Sequence, residues 1–583
     1  MLAILQRALL GRGGAVLAAA VVLAAWLPAL DFRFLNYDDN NYVVDNLAIR
    51  SFDAAMLAWA FTSQYQSNWN PLSWIAHAAD VAVWGFDPFG HHLTSVLLHA
   101  LNAALVAVLA RRLAQAAGLA AVPAGAAALT AALLFGLHPV QVEAVAWIAQ
   151  RKTLLFAAFA LLAALAWTEW HATGRRRWYA AALAAFAGAL LSKGVAVTLP
   201  LVLLVVGWYP LRRHRTVGWR RLVLEQVPFL ALAGAAAVAV MVGNRIGGGL
   251  VTQDAVPLAT SLAALPHAAL HYLRVLVWPA ELSPLHPLWA FHRLDDPRTI
   301  GAALALLAGA GGLLALARRR PAPAAAVLTL FLGLLPTLGL VRVGVPILAA
   351  ERYLYLAAAG VFVLAGAGLA FAVGRLRPAL VLPAAVLLPL ALLPAMRAEL
   401  AVWRNDATLW ARVLEHYPGY PLALVGRGYA DLDGQDWASA LRHCAEAVQR
   451  APADLLALEC RGEALAGLGR HEEAVRDFTA VLRRGGQSIT TLASRGLSLL
   501  SLGDLARAEN DLRIAVRADG THVPSLYNLA LTRSGRGDAE EACTLLRQAQ
   551  SHGFAGRAQA ETEPGFATAR AAPCWRQVAA GWR

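Results

Sequence analysis

Four short groups of polar residues interrupt an otherwise apolar N-terminal stretch, and each carries side chains suited to chemistry. The first is Tyr37-Asp38-Asp39-Asn40. Adjacent carboxylates can accept a proton from a hydroxyl, hold a hard divalent cation, or solvate a turn. The second runs from His138-Pro139 through Glu143 to Arg151-Lys152. The third is Lys193, alone between two apolar runs in Ser192-Lys193-Gly194. The fourth is Glu351-Arg352-Tyr353-Leu354-Tyr355, with Arg342 ahead of it. Ionisable groups at membrane depth are costly and tend to be functional. An arginine fork and a compact ammonium both suit phosphate oxygens. Arg151, Lys152, Lys193 and Arg352 are therefore candidate phosphate contacts. The competing readings are interfacial anchors for Arg151 and Lys152, a pair with Glu143 for Lys193, and a pair with Glu351 for Arg352. The sequence holds no Walker A motif, no G-x-G-x-x-G after a strand and no H-E-x-x-H.

The elements that must position these groups are membrane spans. Of 583 residues, 58% are hydrophobic and 15% charged, against about 25% charged in soluble chains. The mean hydropathy is +0.52. Residues 1–396 carry the apolar runs, and the rest reads as ordinary soluble sequence. Eleven spans are predicted, at about 15–30, 93–112, 124–138, 153–170, 179–192, 195–210, 227–243, 299–317, 322–340, 354–373 and 378–396. The net charge of +13 does not point to nucleic acid, because the basic residues cluster in short loops. Arg7 and Arg12, Arg111 and Arg112, Arg175 to Arg177, Arg212 to Arg221, Arg318 to Arg320, and Arg375 with Arg377 all fall on one side of an eleven-span topology. Positive-inside bias then predicts a cytoplasmic N-terminus and a C-terminal domain outside. Two long outer loops follow, at about 31–92 and 244–298. All four polar groups fall on the outer face. Only two of the 50 basic residues are lysines, Lys152 and Lys193. That usage fits a GC-rich genome and hence a bacterial inner membrane with a periplasmic C-terminal domain.

From 420 onward the chain repeats. Ala440, Ala474, Ala508 and Ala542 recur every 34 residues. Gly428, Gly462, Gly496 and Ala530 precede them by twelve, and Cys444, Phe478, Leu512 and Leu546 follow by four. Small residues let paired helices approach and large ones fill the gap, the pattern of TPR helix pairs. The predicted organisation is all-α: a membrane bundle over 1–396, a connecting helix over 397–419, four TPR repeats over 420–553 and a C-terminal cap over 554–583. All four cysteines lie in the repeat part, and an even number in an exported domain favours disulfides. Cys444 with Cys460 and Cys543 with Cys574 are the pairs nearest in sequence, among three possible connectivities.

Taken in order, these pieces resemble the transmembrane-and-TPR protein O-mannosyltransferases and the wider GT-C superfamily. The resemblance runs through Asp38-Asp39, Asn70-Pro71-Leu72, His91, His99 and Asn102, and Leu134-Phe135-Gly136-Leu137-His138-Pro139-Val140 with Glu143. It continues through Leu191-Ser192-Lys193, Glu351-Arg352-Tyr353-Leu354-Tyr355-Leu356 and the terminal repeats. Departures surround the donor-side motifs. Gln141-Val142 stand where the family has His-Thr, Gly194 replaces an acidic residue, and Gln150-Arg151-Lys152-Thr153 replaces Gly-Arg-Ala-Asp.

The resemblance implies a GT-C-type bundle that transfers a sugar from a polyprenyl-phosphate donor to serine or threonine of exported proteins, with inversion. Asp38 or Asp39 would be the base, and Glu143 would orient the acceptor or share the acidic site. Arg151, Lys152, Lys193 and Arg352 would hold the donor phosphate, with His138 and Tyr353 also at the site. The TPR groove would take the protein acceptor. No cofactor is required, and a divalent metal, if bound, would sit on Asp38 and Asp39. The alternatives are a GT-C transferase acting on a lipid or polysaccharide acceptor, and a non-catalytic membrane scaffold built on the repeats.

Overall fold

The computed structural model describes residues 13–246, 256–288, 293–339, 347–376, 380–486 and 488–582. Arg7, Arg12, Arg342 and Arg377 lie outside the described residues. The chain divides into two compact units, Met1–Arg412 and Val413–Arg583.

The first unit is a helical membrane bundle. Six helical segments among the described residues are long and apolar enough to cross a bilayer, including Gly13–Asp31, Pro88–Ala116, Ile148–Thr173 and Pro297–Ala317. Two further spans qualify if bent pairs count as one: Ala121–Leu137 with Pro139–Ala146, and Glu351–Ala357 with Ala359–Val373. Each bend is 57°. The first follows from Pro139, which cannot continue the preceding helix. Polar residues cluster at both bends, because a broken helix frees backbone groups and brings side chains to one level.

The stretch expected as the first outer loop is itself largely helical. Asp53 accepts from the Met56 amide to start Ala54–Thr62, and Pro71 opens Pro71–Trp84. The latter buries Ser73, His77 and Asp80. The second outer stretch contains Leu258–Val277 and a two-residue strand β1, His286–Pro287, paired antiparallel with β2, Ile347–Ala349.

The second unit stacks four helix pairs. Their first helices start at Pro421, Leu455, Ile489 and Val523, and their second at Trp437, His471, Leu505 and Ala539. Short helices, Arg557–Thr562, Ala567–Ala571 and Trp575–Ala580, follow. The turns carry left-handed residues at the same place in each repeat: Gln435 at φ 59°, then Gly469, Gly503 and Gly537 at 74°, 79° and 88°. Asp436, Asp504 and Asp538 cap three of the second helices. Arg461 reaches Asp477, and Arg495 reaches Asp511, each through paired hydrogen bonds of 2.6–2.7 Å.

The small residues work by contact. A Cβ on Gly462 would stand 2.7 Å from the Phe478 ring, and one on Gly496 would stand 2.7 Å from Leu512. Gly462→Ala should therefore destabilise the repeats by about 1–3 kcal/mol, the usual cost of overpacking. Pulse proteolysis of the full chain would register it as earlier cleavage within the repeats. In the first repeat, Gly428 faces two sulfurs instead of a large side chain. Cys444 is bonded to Cys460, and Cys543 to Cys574. The first disulfide thus fills the space that Phe478 and Leu512 fill further along. It closes a sequence separation of 16, so reduction should cost about 3 kcal/mol by loop-closure entropy, readable as a lower melting temperature with dithiothreitol.

Candidate functional site

The acidic pair splits into two different residues. Asp39 is fully buried and both its oxygens are used: Oδ2 accepts from the Leu35 amide at 3.0 Å and Oδ1 from the Ala149 amide at 2.8 Å. Burial lifts its pKa to about 7 against those two hydrogen bonds, with the neighbouring carboxylates of Asp38 and Asp406 adding to the rise. Asp39 ties the first polar segment to the turn Ile148–Gln150 just ahead of Arg151. Asp38 is half-buried, and its carboxylate has no hydrogen-bond partner among the described residues. Burial raises its pKa, while Lys152 and Arg352 pull it down. It is the carboxylate left open. Tyr37 stacks on Trp147, ring centroids 4.6 Å apart, which fixes the backbone that presents it.

The cations also divide. Arg151 is fully buried and committed to protein. Its Nη1 donates to Asp80 Oδ2 at 2.5 Å, Nη2 to the His91 carbonyl at 2.7 Å and Nε to Ser95 at 3.3 Å. This differs from the sequence expectation, which made Arg151 a donor-phosphate contact together with Lys152. Successive helical residues point about 100° apart, and Asp80 with His91 lies on the other side. Lys152 Nζ donates to Tyr42 Oη at 2.6 Å, in the field of Asp38. Lys193 Nζ donates to Thr153 Oγ1 at 2.8 Å and lies 5.6 Å from the centre of the Tyr353 ring. The sequence weighed Glu143 as its partner. Instead Glu143 is paired with Arg352, accepting from its guanidinium at Oε1 and from its backbone amide at Oε2, 2.7 Å. The Arg352 guanidinium also lies over the Tyr353 and Trp147 rings, at 5.0 and 5.3 Å.

Glu351 turns the other way, accepting on Oε1 from His286 Nε2 at 2.8 Å and His271 Nε2 at 3.1 Å. Burial works against the charge on His286, but the Glu351 carboxylate outweighs it and the pKa of His286 rises. His138 is part of the frame: its Nδ1 accepts from the Val140 amide at 3.3 Å and its Nε2 meets the Leu276 carbonyl at 3.2 Å. Sequence reasoning missed Tyr42, Asp80, His271 and His286. His286 was legible only as a His-Pro pair in a long polar stretch, and Tyr42 follows the acidic pair by three residues.

Below this polar cluster runs a long groove. Lys193, Arg352, Tyr353 and Thr153 line it, together with apolar side chains such as Val106, Leu113, Leu203 and Val363. Two cations set among apolar walls suit an amphiphile with an anionic head. Among the described residues, the groups with the ligand spacing of a metal site are His77/Asp80/His91 and His271/His286/Glu351. Asp38 and Asp39, the sequence-based metal candidates, are in neither.

The fold and this cluster define an integral membrane protein with a polar site set into its helical bundle, followed by a TPR-type solenoid. In sequence the chain is similar to the transmembrane-and-TPR protein O-mannosyltransferases. It is 34% identical over 181 residues to protein O-mannosyl-transferase Tmtc2 of Drosophila melanogaster, covering 28% of this chain and 18% of the relative. It is 32% identical over 133 residues to Tmtc1 of the same organism, covering 22% of this chain and 14% of the relative. The chain thus spans less than a fifth of the length of these curated relatives. No family model matches. Among solved structures, ArnT from Cupriavidus metallidurans bound to undecaprenyl phosphate aligns with 86% of this chain and 80% of its own, at 18% identity and a TM-score of 0.33. A thermophilic TPR protein of Thermus thermophilus aligns with 31% of this chain and 92% of its own, at 23% identity and a TM-score of 0.24.

Proposed function

We propose that the chain is a glycosyltransferase that moves a sugar from a polyprenyl-phosphate donor to hydroxyl groups of exported proteins, with inversion at the anomeric carbon. The observation that carries this reading is an open carboxylate, Asp38, in the field of Arg352, which with Lys193 lines a groove otherwise walled by apolar side chains. The partial similarity to named protein O-mannosyltransferases supports it. Lys193 and Arg352 hold the donor phosphate and the lipid chain lies along the apolar wall. The acceptor oxygen attacks the anomeric carbon, Asp38 takes its proton, and the bond from that carbon to the phosphate oxygen breaks. Charge grows on the departing lipid phosphate, where the two cations stabilise it. Burial raises the pKa of Asp38, and the charges of Lys152 and Arg352 pull against that rise and favour its ionised form. Glu143 holds the Arg352 guanidinium in place, so its role is positioning. The acceptor is taken up by the concave surface that stacked TPR pairs build.

The membrane setting proposed is an inner membrane with the site and repeats on the periplasmic side, and the boundaries proposed are those read from the sequence. Because Asp38 acts ionised and burial raises its pKa, transfer should fall with acidification at a pH above the ordinary carboxylate range, seen as the acid limb of a pH–rate profile. The direct test is glycopeptide and intact-mass analysis of exported proteins from a strain lacking the gene, complemented with wild type or Lys193→Ala at matched membrane levels. A hexose-sized mass that returns with wild type and not with Lys193→Ala supports the reading. Unchanged glycosylation on deletion overturns protein transfer.

A further inference from the structure

A second built site lies beside the first and is independent of the transferase reading. Three elements far apart in sequence converge on it. His271 comes from the helix Leu258–Val277, His286 from β1, and Glu351 from the turn that follows β2. The pairing of β1 with β2 sets His286 opposite Ala349, two residues before Glu351. The Tyr272 hydroxyl accepts from the Ala350 amide at 3.2 Å and fixes the same turn to the helix. Glu351 is 3% exposed and His286 4%.

Both Nε2 atoms aim at one carboxylate oxygen, at 2.8 and 3.1 Å. The imidazole rings stand 4.5 Å apart. Each of the three residues offers one ligand atom, and these atoms all lie within 4.8 Å of one another. Two imidazole nitrogens and a carboxylate oxygen around a first-row cation would be about 3.4 Å apart for zinc–ligand bonds near 2.1 Å in tetrahedral geometry. The two nitrogen–oxygen separations, 2.8 and 3.1 Å, lie just below that value.

We propose that His271, His286 and Glu351 bind one zinc ion, which pins the turn carrying Arg352 to the helix Leu258–Val277 and to β1. Binding displaces the Nε2 protons that now point at Glu351 Oε1: a neutral ring carries its proton on Nδ1 instead, and a ring that was protonated on both nitrogens releases one proton to solvent. The rival cluster, His77/Asp80/His91, is a poorer host. Its only carboxylate already receives the Arg151 guanidinium at 2.5 Å, and a fixed positive charge repels a second cation.

The test uses the full chain in detergent, stripped with chelator, re-equilibrated with zinc and desalted. Elemental analysis should give about one zinc per chain in wild type and in His77→Ala, with His286→Ala and Glu351→Gln weakened by at least about 100-fold, more than loss of an outer-shell partner costs. Cobalt(II) substitution in wild type should give the visible absorption of a four-coordinate nitrogen–oxygen site, a readout that needs no variant to fold. Zinc should also raise the melting temperature of wild type and not of His286→Ala. The proposal is overturned if wild type retains no zinc, if His77→Ala loses it equally, or if cobalt reports an all-oxygen six-coordinate environment.

Discussion

Asp38→Asn is expected to abolish sugar transfer while the protein folds and inserts at wild-type levels. The open carboxylate has no hydrogen-bond partner among the described residues, so the amide breaks nothing structural. Losing a positioned base should cost on the order of 10²–10⁴-fold in rate. Asp39→Asn should behave in the opposite way. Its two oxygens accept from the Leu35 and Ala149 amides, and an asparagine NH2 in place of one acceptor faces a backbone N–H. That variant should lose folded protein first, with residual specific activity in what remains. The pair is read by glycosylation per unit of folded membrane protein. Equal loss of specific activity in both variants would defeat the assignment of Asp38 as base.

Arg151→Ala should be among the most damaging substitutions in the membrane unit, through stability and not through donor affinity. It leaves Asp80, with a side chain 7% exposed, as an uncompensated buried carboxylate. Breaking one side of such a pair costs about 3–5 kcal/mol, a large share of the roughly 5–15 kcal/mol that holds a protein folded. Arg151→Met combined with Asp80→Leu should recover much of the loss, since apolar replacement of both partners can be near neutral. Lys193→Ala leaves no buried charge behind and should give folded protein with weakened donor use. The two kinds of loss separate by measuring folded protein, by fluorescence-detected size exclusion, beside transfer rate. Low transfer at normal folded yield in Arg151→Ala would return it to the phosphate site.

Much of the architecture was legible because its signals are periodic. The 34-residue recurrence of Ala440, Ala474, Ala508 and Ala542 could arise only from repeated helix pairs, and the apolar runs could be little but spans. The polar cluster was legible in part. Lys152, Lys193, Glu143 and Arg352 stood out as charges in apolar surroundings, and the structure gathers them near Asp38. What sequence could not deliver was direction. Arg151 and Lys152 are adjacent, yet the helical turn sends one to Asp80 and the other to Tyr42. Glu351 and Arg352 are adjacent, yet one faces two histidines and the other Glu143. Asp38 and Asp39 look alike as letters, and only the fold makes one a fastener and leaves the other open. The helices within 31–92 were hidden because Ala54–Thr62 is short and buries only Met56 and Ala60, and Pro71–Trp84 buries Ser73, His77 and Asp80 among its apolar residues, so neither shows a clean apolar stripe.

The placing of the two disulfides has a consequence for how the repeat array comes apart. A linear stack held by nearest-neighbour contacts frays from its ends, since an end repeat has one neighbour and an inner repeat has two. Cys444–Cys460 clamps the first pair to the second, and Cys543–Cys574 clamps the fourth pair to the helices beyond it. The inner boundaries rely on packing and on polar contacts such as Thr491 with Glu459 between the second and third pairs, and Arg513 with Glu541 and Arg533 with Glu509 between the third and fourth. Under oxidising conditions the stack has no loose end from which to peel. Under reducing conditions both ends should loosen before the middle does.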